Sequence, residues 1–426
     1  MLNFSLVAKT SLKMVAVLCF ISLYAYTATA QSGLALYRQV KAFSLSGAKA
    51  DVNSVTFKRD RVEMTFTGTF YFTAPIDGKV TGLVFIGQGT FKAQVPPDEF
   101  EKANVKRMLT VEDAIESDFK TAVFRFTDNT MDILGRNKSE GTVPTAAQAL
   151  ASELDARILK ETGANLSSRV VLSVLNQEMP GFFFANFDGG KRGRFNYVLD
   201  IQNRIPTDYF GVNAGEKGLI FKYDSVTKEN DVWLAFYSLS DYSRATASYS
   251  DRNDLVDISN YDMNIDLREP KKRLGLQAKI RMQSKIADLS ALTFTIGESL
   301  GEGEDERLKK QMRIKVVRLD GAAIQSVQED WESGFTVFLP NAVKQGQNIE
   351  LEIEIEGDFV RQPDFAPDFN YPRSNASWYP RQGYLDRSTF NFTFSHQKKL
   401  KVASTEPGSA NCQDPKVQIR SLQNIQ

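Results

Sequence analysis

The residues able to do chemistry are few, and one count limits the rest. The chain of 426 residues holds a single histidine, His396. A site with two imidazole ligands, or a His pair working as acid and base, cannot come from this chain alone. Gly297-Glu298-Ser299-Leu300-Gly301 has the G-x-S-x-G spacing of a nucleophile elbow. It follows an apolar run, Leu292–Ile296, and His396 lies downstream with several Asp between, so the order Ser, Asp, His is met. An elbow, however, leads into a buried helix on a parallel sheet. Here Glu302-Gly303-Glu304-Asp305-Glu306 follows, acidic and broken by Gly. We read a polar loop between antiparallel strands, with a serine hydrolase using Ser299 as an alternative.

Other candidates are weaker. Asp358, Asp364 and Asp368 share a Pro- and Phe-rich segment, but their spacing is not that of a calcium loop, so they read as solvated acids. Ser225-Val226-Thr227-Lys228 matches S-x-x-K without the Lys-Thr-Gly that should follow. His396, beside Lys398 and Lys399, is expected at the surface or an interface, at the end of a strand. These residues name no catalytic group, no metal ligand and no cofactor.

The N-terminus has its own logic. Lys9 and Lys13 precede an apolar stretch, Met14–Tyr26, and Ala28-Thr29-Ala30 offers a cleavage signal before Gln31. Residues 1–30 therefore read as a signal peptide, and the mature chain as exported, periplasmic or extracellular, with no membrane contact after cleavage. An uncleaved anchor is the competing reading, resting on the apolar stretch alone. Removal of Cys19 leaves Cys412 alone, so no intramolecular disulfide is expected. Lys+Arg and Asp+Glu both number 52, which gives no electrostatic reason to expect nucleic acid as a partner.

Strands must position whatever site there is. The 30 Phe and 14 Tyr favour them. Val62, Met64, Phe66, Phe70 and Phe72 alternate with polar residues, and Pro75-Ile76-Asp77-Gly78 supplies a turn before Val80–Ile86. Thr121–Phe126, Phe182–Phe187, Arg194–Leu199, Leu219–Tyr223 and Val232–Tyr237 are further candidates. Pro144–Gly163 reads as a helix, with Leu150, Leu154 and Ile158 on one face and Gly163 as its stop. Pro97–Leu109 is a second helical segment, and Ser168–Leu175 fits helix or strand. A second block starts near Ile258. There Met263, Ile265 and Leu267 alternate, as do Leu274, Leu276, Ala278, Ile280 and Met282, with Pro270-Lys271-Lys272 between. Leu292–Ile296, Ile314–Leu319, Phe335–Leu339, Glu350–Glu356 and Phe390–Phe394 continue the series. Glu350–Glu356 places Leu351, Ile353 and Ile355 inward and four Glu outward. The fold class expected is mainly β: two antiparallel, sandwich-like domains, 31–257 and 258–404, with one or two helices in the first. Residues 405–426 read as a disordered tail.

Several segments of the second block carry a resemblance. They are Tyr261–Leu267, Leu289–Ile296, Phe335–Leu339 with Pro340 and Gly346, and Ile349–Gly357. The most specific is Ser377-Trp378-Tyr379-Pro380-Arg381, followed by Asp386, Phe390–Phe394 and Val402-Ala403-Ser404. Together they resemble the N-terminal β domain of the aminopeptidase N family of zinc metallopeptidases. Gly68–Phe72 and Gly78–Gly82 resemble the extra β-rich region that precedes it in some bacterial members. The family's H-E-x-x-H zinc helix and its Gly-Ala-Met-Glu-Asn segment are absent, so its metal and catalytic residues transfer to no position here. Asn375 lies near the place where the family's β domain lends a polar side chain to the substrate pocket, without a firm match. The resemblance implies that Trp378, Tyr379 and Pro380 form an interdomain or partner interface, toward a peptidase catalytic domain or a second copy; Trp378 filling the sandwich core is the competing reading. The function expected is that of an exported, non-catalytic front half of such a peptidase, truncated after Ser404. A stand-alone secreted binding module is the alternative.

Overall fold

The computed structural model describes residues 33–205, 210, 212–227, 229–268, 274–296, 312–332, 334–357, 360–361, 371–372, 378–383, 387–397 and 416–422. The signal-peptide segment, Cys412, Lys228, the Pro270-Lys271-Lys272 turn, the Ser299 loop, Asp358, Asp364, Asp368, Asn375, Ser377, Asp386 and 402–404 lie outside the described residues.

A helix, α1 (33–42), opens the described chain. The aromatic-rich half that follows folds into one antiparallel sheet. Its strands are β1 (Leu45–Arg59), β2 (Val62–Thr73), β3 (Gly82–Gln94), β4 (Ala114–Phe126), β5 (Lys138–Glu140), β6 (Phe182–Asp188), β7 (Arg194–Asp200), β8 (Gly218–Asp224) and β9 (Glu229–Phe236). Their spatial order is β5-β1-β2-β3-β4-β6-β7-β8-β9. The period-two pattern of β2 acts as the sequence predicts: Met64, Phe66, Phe70 and Phe72 are all fully buried. Phe66 alone meets Phe57, Phe70, Phe85, Phe119 and Phe124 at ring-centroid distances of 4.8 to 5.9 Å. Each such ring contributes about 2–3 kcal/mol by leaving water. The sheet curls over this cluster, and Tyr197 on β7 donates its hydroxyl to the Arg59 carbonyl at the end of β1 (2.8 Å). Gly68 and Gly87 face each other across β2 and β3, where a Cβ on either would lie 2.4 or 2.3 Å from a neighbouring backbone oxygen.

Helices lie on both faces. On one, α2 (Glu99–Leu109) and α3 (Thr130–Leu134) bury Val105 and Leu134 against the phenylalanine cluster. On the other, α4 (Thr145–Glu153), α5 (Leu159–Thr162) and α6 (Leu166–Leu175) pack into a second apolar core, and α7 (Leu239–Ser243) is a short helix after β9. A π-type turn, Leu154–Ile158, joins α4 to α5, and Gly163 ends the run at φ +67°. Leu150, Leu154 and Ile158 are buried along it, as their spacing predicts. The segment open to either reading, Ser168–Leu175, is helical because Asn165 caps it: its Oδ1 accepts the Ser168 N–H at 2.9 Å. The helix α1 and the strand β1 have weak sequence signals. In β1 the inward positions include Ala48 and Ala50, and a bulge between Val52 and Val55 interrupts the alternation.

The second half is a sandwich. Its strands are β10 (Val256–Leu267), β11 (Leu274–Ser284), β12 (Asp288–Thr295), β13 (Arg313–Leu319), β14 (Ala322–Ile324), β15 (Ser326–Val327), β16 (Gly334–Lys344), β17 (Asn348–Gly357), β18 (Val360–Arg361), β19 (Tyr371–Pro372), β20 (Thr389–His396) and β21 (Lys416–Leu422). One layer runs β14-β13-β17-β11-β10-β20-β21, the other β12-β16-β15, and β18 and β19 pair separately. Leu351, Ile353 and Ile355 of β17 face inward as expected. The four Glu between them pair outward with neighbouring strands, for example Lys279 with Glu350 and Glu352 at 3.1 and 3.0 Å.

Three expectations need correction. The β10–β20 pair is parallel, Asn260 to Leu267 running beside Thr389 to His396; the long excursion between the two strands supplies the crossover a parallel pair needs. The stretch read as a disordered tail contains β21, which pairs antiparallel with β20. Its Val417 and Ile419 alternate too briefly to stand out in sequence. His396, expected at the surface or an interface, is 5% exposed within the chain itself; its Nδ1 lies 2.8 Å from the Gln397 carbonyl oxygen. Beside β10 in parallel register, the end of β20 is covered where a terminal edge strand would be open. No helix among the described residues is long and apolar enough to cross a membrane.

Candidate functional site: a polar cavity on the seam

The two halves share one apolar core, which runs from Tyr37 and Val84 in the first to Phe335 and Ile355 in the second. Polar side chains stitch the seam. Tyr37 of α1 donates to Glu329 (2.6 Å), and Lys41 reaches the same carboxylate at 2.8 Å. Asn165, while capping α6, donates through Nδ2 to the Tyr37 hydroxyl (3.1 Å) and to Glu332 (2.9 Å). Thr336 on β16 donates to the buried Ser168 hydroxyl at 2.8 Å. At the other end of α6, Asn176 gives Nδ2 to the Ala291 carbonyl (2.9 Å). Its Oδ1 accepts the Ser290 and Ala291 N–H groups (2.8 and 3.0 Å).

A cavity of about 140 Å3 opens on this seam, lined from both halves by Arg169, Arg204, Tyr249, Asp254, Glu332 and Arg381 among others. That is room for several ordered waters or one small polar molecule. Most of its charges are already answered. Arg169 grips Asp200 with two N–H groups (2.8 and 2.9 Å) and Glu178 with a third (2.7 Å). Arg204 donates its Nε–H to Glu178 (3.1 Å) and its backbone N–H to Asp200 (3.0 Å), and reaches the Asn253 carbonyl. All four side chains are 4 to 9% exposed. Burial alone would raise the Asp200 carboxyl; Arg169 and Arg204 outweigh it and hold that carboxyl below the usual range. Asp254, with Tyr249 as donor at 3.3 Å, is pushed up by burial, opposed by Lys285. Ser168 accepts from Thr336, and neither His nor Cys is among the lining residues. Among the described lining residues the cavity combines shape with charges that are mostly paired.

Nothing in the sequence pattern singles out Arg169, Glu178, Asp200 or Asn176. They come from one helix, the turn that follows it and a strand end. Only the Asn165 cap, a polar residue just before an apolar helical run, leaves a readable local signal.

The residues expected at an interface gather elsewhere, on the aromatic ladder of β20. Trp378 and Tyr379 are half-buried and Pro380 is buried. Trp378 lies 5.2 Å from Tyr379 and stacks on Phe392 at 6.1 Å; Tyr379 meets Tyr261 and Phe390 edge-on at 5.4 and 5.7 Å. Trp378→Ser should leave the chain folded and lower its stability by about 1–2 kcal/mol, less than a full Trp deletion, because part of the ring is already in water. Denaturant titration checks this. Unchanged stability would deny the stacking any weight. Ser225 sits in an exposed turn between β8 and β9.

No protein-family model matches the sequence, and no curated protein matches it. Among solved structures, part of the chain is similar to an M1 zinc metallopeptidase from Deinococcus radiodurans, at 14% identity and a TM-score of 0.27, covering 39% of each chain. It is also similar to yeast LTA4 hydrolase, at 11% identity and a TM-score of 0.27, covering 43% of this chain and 30% of that one. The chain thus spans well under half the length of the structures it matches.

Proposed function

We propose that this chain is an exported, non-catalytic β protein that binds rather than reacts. In this reading, residues 258–404 play the part that the N-terminal β domain plays in aminopeptidase N-like metallopeptidases. The observation that carries the reading is the single imidazole of the chain: His396 is buried at the end of β20 and is not among the residues lining the seam cavity. A catalytic zinc needs three protein ligands, usually with imidazole or thiolate among them. The closed ion pairs around the cavity favour binding a small polar molecule over activating one. The water-facing parts of Trp378 and Tyr379 are the proposed contact for a peptidase domain or a second copy, since aromatic residues are enriched in such contacts.

The test is metal analysis together with an aminoacyl-amide assay on the purified mature chain. The expected result is no stoichiometric zinc and no hydrolysis. One tightly held zinc per chain, with hydrolysis lost on chelation, would overturn the reading.

A further inference from the structure

The nine-stranded sheet has two open ends, and the chain treats them differently. At one end β5 is three residues long, Lys138-Ser139-Glu140, all exposed. A short, charged edge resists pairing by itself. At the other end β9 is eight residues long, and its last five, Val232-Trp233-Leu234-Ala235-Phe236, carry no charge and no Pro. Such a strand, left bare, is a template for another strand.

It is not left bare. Helix α2 lies along it and fills its outer hydrogen-bonding positions with side chains. Asn104 donates through Nδ2 to the carbonyls of both Val232 and Trp233 (3.3 and 3.2 Å). Glu101 accepts the Ala235 N–H at 3.1 Å. Ile220 pairs with Leu234 but Phe221 with Val232, so Trp233 is the extra residue of a bulge. That bulge brings two successive carbonyls within reach of one amide. Glu101, Asn104 and Val105 are spaced i, i+3, i+4, so one helix face carries both guards and the buried anchor. Val105 is fully buried, Glu101 is 5% exposed, and Phe100 points away at 72% exposure. Burial of a carboxyl is costly, and it pushes Glu101 up to about 7. The helix's other apolar contacts, Met108 and Leu109, are only partly buried, so an apolar residue at 101 would seat it better unless the acceptor is needed.

We propose that α2 is an edge guard: Glu101 and Asn104 hold the outer hydrogen-bonding positions of β9 and so prevent it from pairing with β9 of a second copy of this chain. Two identical edges can meet across a two-fold axis, antiparallel, which makes the second copy the natural occupant.

The experiment uses the full chain with Glu101→Lys and Asn104→Ala together, which removes both guards and, by placing a cation at a buried position, lifts α2 off the edge that a second β9 must reach. Light scattering across a concentration series should show wild type as a monomer where the double variant is a dimer. The Ala235 amide should then be protected from hydrogen exchange only at concentrations where the dimer forms. Adding Ala235→Pro removes the outward N–H without touching the β8 ladder, and should return the monomer. Asn104→Ala alone, which leaves Glu101 and Val105 in place, should dimerise more weakly and serves if the double variant does not fold. A folded variant that stays monomeric at every concentration, with Ala235 exchanging freely, overturns the proposal. So does a dimer that survives Ala235→Pro.

Discussion

Replacing Arg169 by Met should be the most damaging single change on the seam, costing about 3–5 kcal/mol of stability. The Met side chain fills similar volume, so lost packing is a minor part of the effect. The cost comes from what is left behind. Asp200 and Glu178, 4% and 5% exposed, lose three charge-assisted hydrogen bonds at once. Arg204 can still reach Glu178, but it approaches Asp200 only with its backbone N–H. Asp200 is thus left as a buried carboxylate held by two backbone N–H groups, of Gln202 and Arg204, with no side-chain cation bonded to it. The guanidinium also lies over the Phe182 ring, 5.2 Å from its centroid, and that contact is lost too. Urea denaturation of both proteins at neutral pH measures the difference. A loss below about 1 kcal/mol would mean the network is no better than a surface pair.

The pH dependence separates charge from packing. In wild type the Asp200 carboxyl is held low, so its contribution is present above the unfolded carboxyl range and is lost as pH falls through the depressed folded value. Without Arg169, burial dominates and raises the same group. Its folded form then prefers the proton, and the variant's penalty is present at neutral pH and relieved as pH falls toward about 4. The gap between the two proteins should therefore narrow on acidification. A gap that stays constant from neutral pH to pH 4 would assign the loss to packing.

What the sequence made legible follows from what each part rests on. The Phe alternation of β2 and the Leu351, Ile353, Ile355 alternation of β17 rest on local period, and both appear in the structure as read. The strand β1 was hidden because Ala48 and Ala50 do the inward work of larger residues. The parallel β10–β20 pair was hidden because register across more than a hundred residues leaves no local trace. The seam is harder still. Arg169, Glu178 and Asp200 each look like an ordinary surface charge in sequence, and only folding shows that they answer one another. Arg125 is the extreme case: fully buried under α1, over the Phe43 ring at 4.5 Å, with its pKa pushed down to about 9 by burial. Its place in a strand pattern gives no hint of that. Leu292–Ile296 was legible as a strand, whereas the cavity that Thr293, Phe294 and Thr295 help to line is formed jointly with the first half.

Asn176 provides the second large effect, and one that reports on how the halves are joined. Asn176→Ala removes a side chain that is 6% exposed and leaves the Ala291 carbonyl and the N–H groups of Ser290 and Ala291 without their partner. At about 1–3 kcal/mol for each buried group left unpaired, discounted for the half-buried Ser290, the loss should reach about 3 kcal/mol. The three bonds hold the point where β12 leaves its register with β16, between Leu289 and Ala291. Losing them should therefore raise hydrogen exchange in β12 and the C-terminal turn of α6 before the rest of the chain. Asn176→Asp sharpens the test because shape is kept. An ionised Asp can accept from both N–H groups but faces the Ala291 carbonyl with no donor, whereas a protonated Asp supplies an O–H. Burial and that carbonyl should raise its folded pKa above the unfolded value of about 3.9. Its stability should then be near that of wild type below that value and be lost as pH rises through the folded pKa. If Asn176→Asp is equally destabilised at all pH values, or Asn176→Ala loses less than about 1 kcal/mol, the hydrogen bonds at Asn176 do not join the two halves.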